Sequence, residues 1–308
     1  MAPNRRERDW PVPDAIHQIK IALIRENESE TNLIAMSLNQ ALGEVSLADR
    51  DGAVHLLRFL KFWFNLPSAV FITATNLLDR FLIKMKVQRR YLACLVISCM
   101  NVASRRHQYN LDPKILVSLS QSKCSVKDME RMSEIVQKKL DLGNGKPLIN
   151  VYDYLNQFLD LLQAVARQFH IKSLFDLVLK KEELNCHLEV IMCDSQCASA
   201  KPAVIALALI QTEFERFMSS AIPDKLSYYS FEMLQLLTTI VDLQLICLIV
   251  PVEFTSCHKT IIDSLRNYDN HTKKLHQQKM LWRYSSRTIY NTKSSWSYFD
   301  TLRTIVEE

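Results

Sequence analysis

Apolar residues recur along most of this chain at steps of three and four, the spacing that marks one face of an α-helix. Ile16, Ile19, Leu23 and Ile24 form such a face after Pro13, with Asp14 placed to cap the helix. The polar run RENESETN interrupts the pattern, LIAMSLNQAL resumes it, and Gly43 ends it. From Val45 to Leu142 the spacing gives about five helical segments. The breaks fall at Gly52, Asn65-Leu66-Pro67, Gln88-Arg89-Arg90 and Asn110-Leu111-Asp112-Pro113. Residues 91–104, YLACLVISCMNVAS, are apolar on nearly every side, so other helices must surround them. Ser125 with Asp128 has the form of a capping box, with Asp where Glu or Gln is usual.

Gly143-Asn144-Gly145-Lys146-Pro147 is the clearest break, and the pattern then begins again. Helices are predicted over 151–165 and 181–198, and Pro202 opens an apolar helix over 203–217. A further apolar run covers 231–250. The expectation is an all-α protein of two consecutive bundles, each of about five helices around a buried central one. The predicted organisation is a disordered tail over 1–13 and an N-terminal helical segment over 14–44. A first bundle follows over 45–146, a second over 147–252, and a basic, aromatic-containing segment over 253–308.

Composition narrows the chemistry. With 48% apolar and 23% charged residues, the 308-residue chain has the balance of a soluble globular protein. Four glycines leave little material for phosphate-cradling loops, and neither GxGxxG nor GxxxxGK[ST] occurs. None of the eight cysteines forms a CxxC, and the N-terminus MAPNRRERDW lacks the apolar stretch of a signal peptide. A reducing compartment is expected, the nucleus and cytoplasm. The run LLTTIVDLQLICLIVPV is interrupted by Asp242 and Gln244 and reads as a buried helix, not a membrane span. Cys186, His187, Cys193 and Cys197 match no zinc-ligand spacing, so no metal or other cofactor is expected. Lys259 to Lys293 carries eight Lys/Arg against two Asp, while the rest of the chain is close to neutral. That segment interleaves Trp, Tyr and Arg, which suits base stacking. A solvated basic face with aromatics docked on the second bundle is the plainer reading, and nucleic acid is not the expected partner.

The stretch TNLLDRFLIKMKVQRRYLACLVISCMNVASR resembles the heart of a cyclin box, a helix carrying DRFL followed by one ending in ASK. NLLDRFL-x-KMKV, SVKDMERMSEIV, SAKPAVIALALI and KMLWRYSSRTIY, in that order, are similar to the cyclin G group, and the resemblance covers roughly residues 15–290. It implies a tandem cyclin fold with an N-terminal helix, in a regulatory subunit and not an enzyme. Such a subunit binds a cyclin-dependent protein kinase and regulates cell cycle and growth. The resemblance also implies an alternative, an adaptor recruiting the B′ regulatory subunit of protein phosphatase 2A. A nuclear transcription- or chromatin-associated cyclin-fold adaptor is a third reading.

Residue by residue, the resemblance places a buried structural ion pair at Arg50 and Asp79. The Lys and Glu with which cyclins grip a kinase correspond to Arg105 and Ser133, with Glu134 one residue along. Arg105 keeps the charge as a planar fork, whereas Glu134 is rotated about 100° round the helix from the lost carboxylate. Arg106-His107 stands where an acidic pair is usual, and DRDGA at 49–53 lacks the Met, Ile and Leu of a substrate-docking groove.

Overall fold

The computed structural model describes residues 12–27, 33, 43–120, 123–144, 148–220 and 230–269. Residues 1–11 of the tail expected over 1–13, most of RENESETN and LIAMSLNQAL, part of the linker and the chain after Asp269 lie outside the described residues. Among the described residues every regular element is helical, and one isolated antiparallel bridge joins Glu44 to Gln88.

Helix α1 (Val12–Asn27) precedes the first bundle. That bundle contains α2 (Leu47–Trp63), α3 (Ser68–Lys84), α4 (Arg89–Arg106), α5 (Pro113–Leu119) and α6 (Val126–Lys139). A 3₁₀ turn at Leu142–Asn144 leads towards α7 (Val151–Gln168), which opens the second bundle. Two short helices, α8 (Lys172–Val178) and α10 (Ser195–Ala198), flank α9 (Lys181–Met192). The long helices α11 (Pro202–Ser220), α12 (Ser230–Ile246) and α13 (Pro251–Asp269) follow.

The two bundles begin alike. Ser46 caps α2 and accepts from the Asp49 amide, while the Asp49 side chain accepts from the Ser46 amide. Asn150 and Asp153 make the same reciprocal pair at α7, and Ser125 and Asp128 make it at α6. Each box satisfies amides that the first helical turn would leave bare. Asp does this as well as the longer Glu because it accepts from the cap amide three residues back.

Each bundle wraps one helix. Every residue of α4 from Cys94 to Ser104 is buried, and so is every residue of α11 from Ala203 to Ile210. Helix α4 packs against α3 and α6, and α11 against α7 and α13. Polar groups on these helices are satisfied locally: the Ser98 hydroxyl donates to the Cys94 carbonyl at 2.7 Å, and Ser104 does likewise to Met100. Helix α1 lies on α7, where the Tyr154 hydroxyl donates to Glu26 at 2.6 Å. Burial there raises the Glu26 pKa, and the tyrosine bond opposes the rise without cancelling it.

Four local expectations change. Helix α1 includes Val12 and Pro13, so Asp14 lies inside its first turn and is not its cap. Helix α2 runs through Gly52, because one exposed glycine costs less than breaking a helix whose other face is buried. The single helix predicted over 181–198 divides after Met192, where the Asp194 side chain accepts from the Gln196 amide and starts α10. Helical packing also continues past residue 252: Phe254, Cys257, Ile261 and Leu265 bury one face of α13 against α9, α10 and α11. No helix of the described residues is long and apolar enough to cross a membrane.

A β-carbon built on Gly52 meets nothing within 4 Å, and the residue sits mid-helix. Gly52→Ala is expected to raise unfolding free energy by about 0.5–1 kcal/mol, read from urea midpoints at unchanged m-value.

Candidate partner-binding surface and the charges beneath it

Arg50 on α2 is fully buried, and each of its side-chain nitrogens finds an acceptor. Its Nε donates to Asp79 Oδ1 at 2.8 Å and its Nη2 to Oδ2 at 2.6 Å, a two-pronged grip on α3. Nη1 donates to the Met192 carbonyl at 2.8 Å and to Asp51 at 3.2 Å. Asp51 in turn accepts from the Ser195 hydroxyl at 2.9 Å. Burial works against the Arg50 charge, but Asp79 and then Asp51 outweigh it and hold its pKa above the ordinary value. Arg50 and Asp79 are therefore brought together as the resemblance implied. The contacts to Met192 and Ser195 go further and tie the first bundle to the second, which sequence reasoning did not reach.

A second buried charge makes the converse link. Glu189 on α9 is 1% exposed and faces three groups of the first bundle. Ser68 Oγ donates to it at 2.6 Å, Lys61 Nζ approaches to 2.9 Å and Arg58 Nε to 3.5 Å. The Arg58 guanidinium carbon also lies 5.5 Å from the ring centroids of Phe62 and Tyr268. Tyr268 belongs to α13, so one cation joins α2, α9 and the last described helix. Nothing in the local sequence distinguishes Glu189 from the solvated acids near it; only α9 burying that face reveals it.

The surface proper begins where α4 emerges. Arg105 and Arg106 are exposed in its last turn, where positive charge suits the carbonyl end of a helix. One turn earlier, Asn101 is buried and its Nδ2 donates to Ser133 Oγ of α6 at 3.3 Å. Ser133 is 2% exposed and donates to the Met129 carbonyl at 2.9 Å. It is thus a strut between α4 and α6, not a contact residue, which corrects its place among the kinase-binding candidates. A short hydroxyl at a buried helix contact has its bonding capacity used internally. Glu134 is exposed on α6 beside it. The outward set that remains is Arg105, Arg106 and Glu134.

His107 ends α4, with Nε2 2.9 Å from the Thr73 hydroxyl. Burial lowers its pKa, Asp153 opposes that fall without cancelling it, and Arg106 adds a smaller push downwards. At residues 49–53 the surface is charged: the Asp49 carboxylate takes Ser46 and, at 2.6 Å, Arg89 Nε. The cysteine and histidine cluster weighed for zinc is dispersed among other partners. His187 pairs with Glu213 at 2.7 Å, Cys193 Sγ donates to the Glu189 carbonyl and Cys197 Sγ to that of Thr260. Burial pushes the Cys193 thiol up to about 11. Among the described residues no group of three His, Cys, Asp or Glu is arranged to hold a metal ion.

Two helical bundles in tandem, each wrapped on one buried helix and the first preceded by an N-terminal helix, define a cyclin-fold protein. A family model described as "Cyclin, N-terminal domain" matches residues 20–142. The fold is similar to that of a viral cyclin from herpesvirus saimiri, with a TM-score of 0.54 at 15% identity, covering 80% of this chain and 97% of that one. Among relatives, Cyclin G of Drosophila melanogaster is 31% identical over 251 residues, 80% of this chain and 43% of that protein. Cyclin-G2 of Mus musculus is 29% identical over 262 residues, 84% of this chain and 70% of the relative. Cyclin-G1 of Homo sapiens is 27% identical over 300 residues, 95% of each. The first bundle thus matches a cyclin N-terminal domain, and most of the chain is similar to proteins of the cyclin G group.

Asp79→Asn removes the principal counter-charge of the buried Arg50 and leaves only the longer contact to Asp51, and a loss of about 3–5 kcal/mol is expected in chemical denaturation. Arg50→Met combined with Asp79→Leu should recover most of that loss, so the two changes will be far from additive. For His107 the folded pKa lies below the ordinary 6.5, so the unfolded chain takes the proton first. Stability is complete above 6.5 and declines as pH falls through that value towards the folded pKa. His107→Gln should flatten this limb of a thermal-unfolding series between about pH 5 and 7.5.

Proposed function

We propose that this chain is a regulatory subunit that binds a cyclin-dependent protein kinase and thereby acts in cell-cycle and growth control, in the nucleus and cytoplasm. Similarity to cyclins supports a regulatory, non-catalytic role. The observation that carries the reading is Arg105. It stands exposed at the end of the most deeply buried helix of the first bundle, on a base fixed by the Asn101–Ser133 bond. A rigidly based, exposed guanidinium can hydrogen-bond several backbone carbonyls of a partner at once. The buried strut at Ser133 leaves that grip to Arg105, with Glu134 and Arg106 as neighbours. The partner surface should therefore offer carbonyl or carboxylate acceptors.

The test is affinity capture of the full chain from lysate, followed by kinase assay of the recovered complex. Arg105→Ala should weaken recovery of the kinase about tenfold or more, as removal of an interface anchor does, while Ser133→Ala lowers stability without a matching loss of binding. Kinase recovery indifferent to Arg105→Ala would overturn the interface. Recovery of a phosphatase regulatory subunit with no kinase would overturn the reading itself.

A further inference from the structure

Helix α12 is apolar on two opposite sides, but the bundle covers only one. Met233, Leu236, Ile240 and Leu243 face the core and are buried. Phe231 (65% exposed), Leu234 (57%), Val241 (54%) and Leu245 (68%) lie on the outward side, and Leu248 (86%) extends the line just past the helix. With exposed Thr238 between them, these positions follow steps of three, four, three, four and three. That is the narrow seam that receives one partner helix in knobs-into-holes packing, not the scattered exposure of an ordinary surface. Helix α12 carries no Lys or Arg, and its charges are Glu232 and Asp242.

The sequence after Asp269 is the complement of this face. Leu275, Trp282, Ile289 and Trp296 recur every seven residues, the repeat of one edge of a helix that keeps a constant side towards a partner. Residues 270–299 hold six Lys/Arg and no acid. Written as a helix, Leu275 to Trp296 spans about 31 Å, enough for the roughly 25 Å from Phe231 to Leu248.

The starting point is also right. Lys201 pairs with Glu253, and Arg216 with Asp269, so α11 and α13 run parallel. Helix α12 ends four residues before α13 begins, and therefore runs against both. Phe231 and Asp269 thus lie towards the same end of the bundle. Five residues, 270–274, separate Asp269 from Leu275 and reach up to about 17 Å.

We propose that the basic, aromatic segment following Asp269 docks as a helix along the outward seam of α12, within the same molecule. So short a tether gives an effective concentration in the millimolar range, well above that of a separate chain. A second copy offers the same seam with the same two acids and no cation to meet them. An anionic membrane surface would be repelled by Glu232 and Asp242.

Hydrogen exchange by mass spectrometry on the full chain tests this. Amides of 275–296 should exchange at least about tenfold more slowly than an unstructured chain, at a rate independent of protein concentration. The pair Val241→Lys and Leu245→Lys, both at exposed positions, should remove that protection while 203–210 keeps its own. Trp282→Ala should do the same from the other side. Three results would each overturn the proposal: no protection over 275–296 in the unaltered chain, protection that survives the lysine pair, or protection that rises with concentration together with a dimer in sedimentation.

Discussion

The buried guanidinium of Arg50 is the constraint around which the two bundles are arranged. A full positive charge without water is tolerated only where its donors all find acceptors. Here the acceptors come from Asp79 on α3, Asp51 on α2 itself and the Met192 carbonyl at the end of α9. Two lie in the first bundle and one in the second, so the charge is fully satisfied only when both are in place. Glu189 reverses the arrangement, an acid from the second bundle held by Lys61, Arg58 and Ser68 of the first. Hydrophobic contact alone would let two such surfaces slide. Directed bonds to buried charges fix one register, and that fixed register holds the exposed end of α4 in a constant relation to the second bundle.

Much of this fold is written plainly in the chain. The buried α4 is legible because its apolar residues leave no polar face, and α11 for the same reason. Asp128 three residues after Ser125 is enough to place the start of α6. Arg50 and Asp79 are legible only through the resemblance to cyclins, since twenty-nine positions separate them and neither looks unusual beside its neighbours. Glu189 was not legible at all. Its role depends on which side of α9 meets α2 and α3, and helical spacing within α9 says nothing about another helix. The same limit explains Ser133. Aligning it with a partner-gripping carboxylate identifies its position along α6, but the two-atom side chain stops short of the surface and spends its hydroxyl on Met129 and Asn101.

The apolar run ending in LICLIV shows a different limit. Its continuous hydrophobicity predicts complete burial, and the inward half of α12 meets that expectation. The outward half does not. A sequence pattern counts the apolar sides of a helix, but not the neighbours supplied to cover them. Similarly, single glycines mark breaks only where the backbone needs their freedom. Gly43, with φ of 88°, is such a place, and Gly52, in ordinary helical geometry on an open face, is not.

Arg58 lies between the two bundles, against Phe62 of α2 and Tyr268 of α13. A protein cut at the glycine-rich joint after α6 would therefore not yield two working halves. The first would leave Arg58 and Lys61 without Glu189 and Arg50 without the Met192 carbonyl, and the second would expose a bare Glu189. Both fragments would be marked by unpaired charge amid apolar surface, the condition that quality-control proteases and chaperones detect. Cleavage at that joint would act as an irreversible off-switch for the whole molecule.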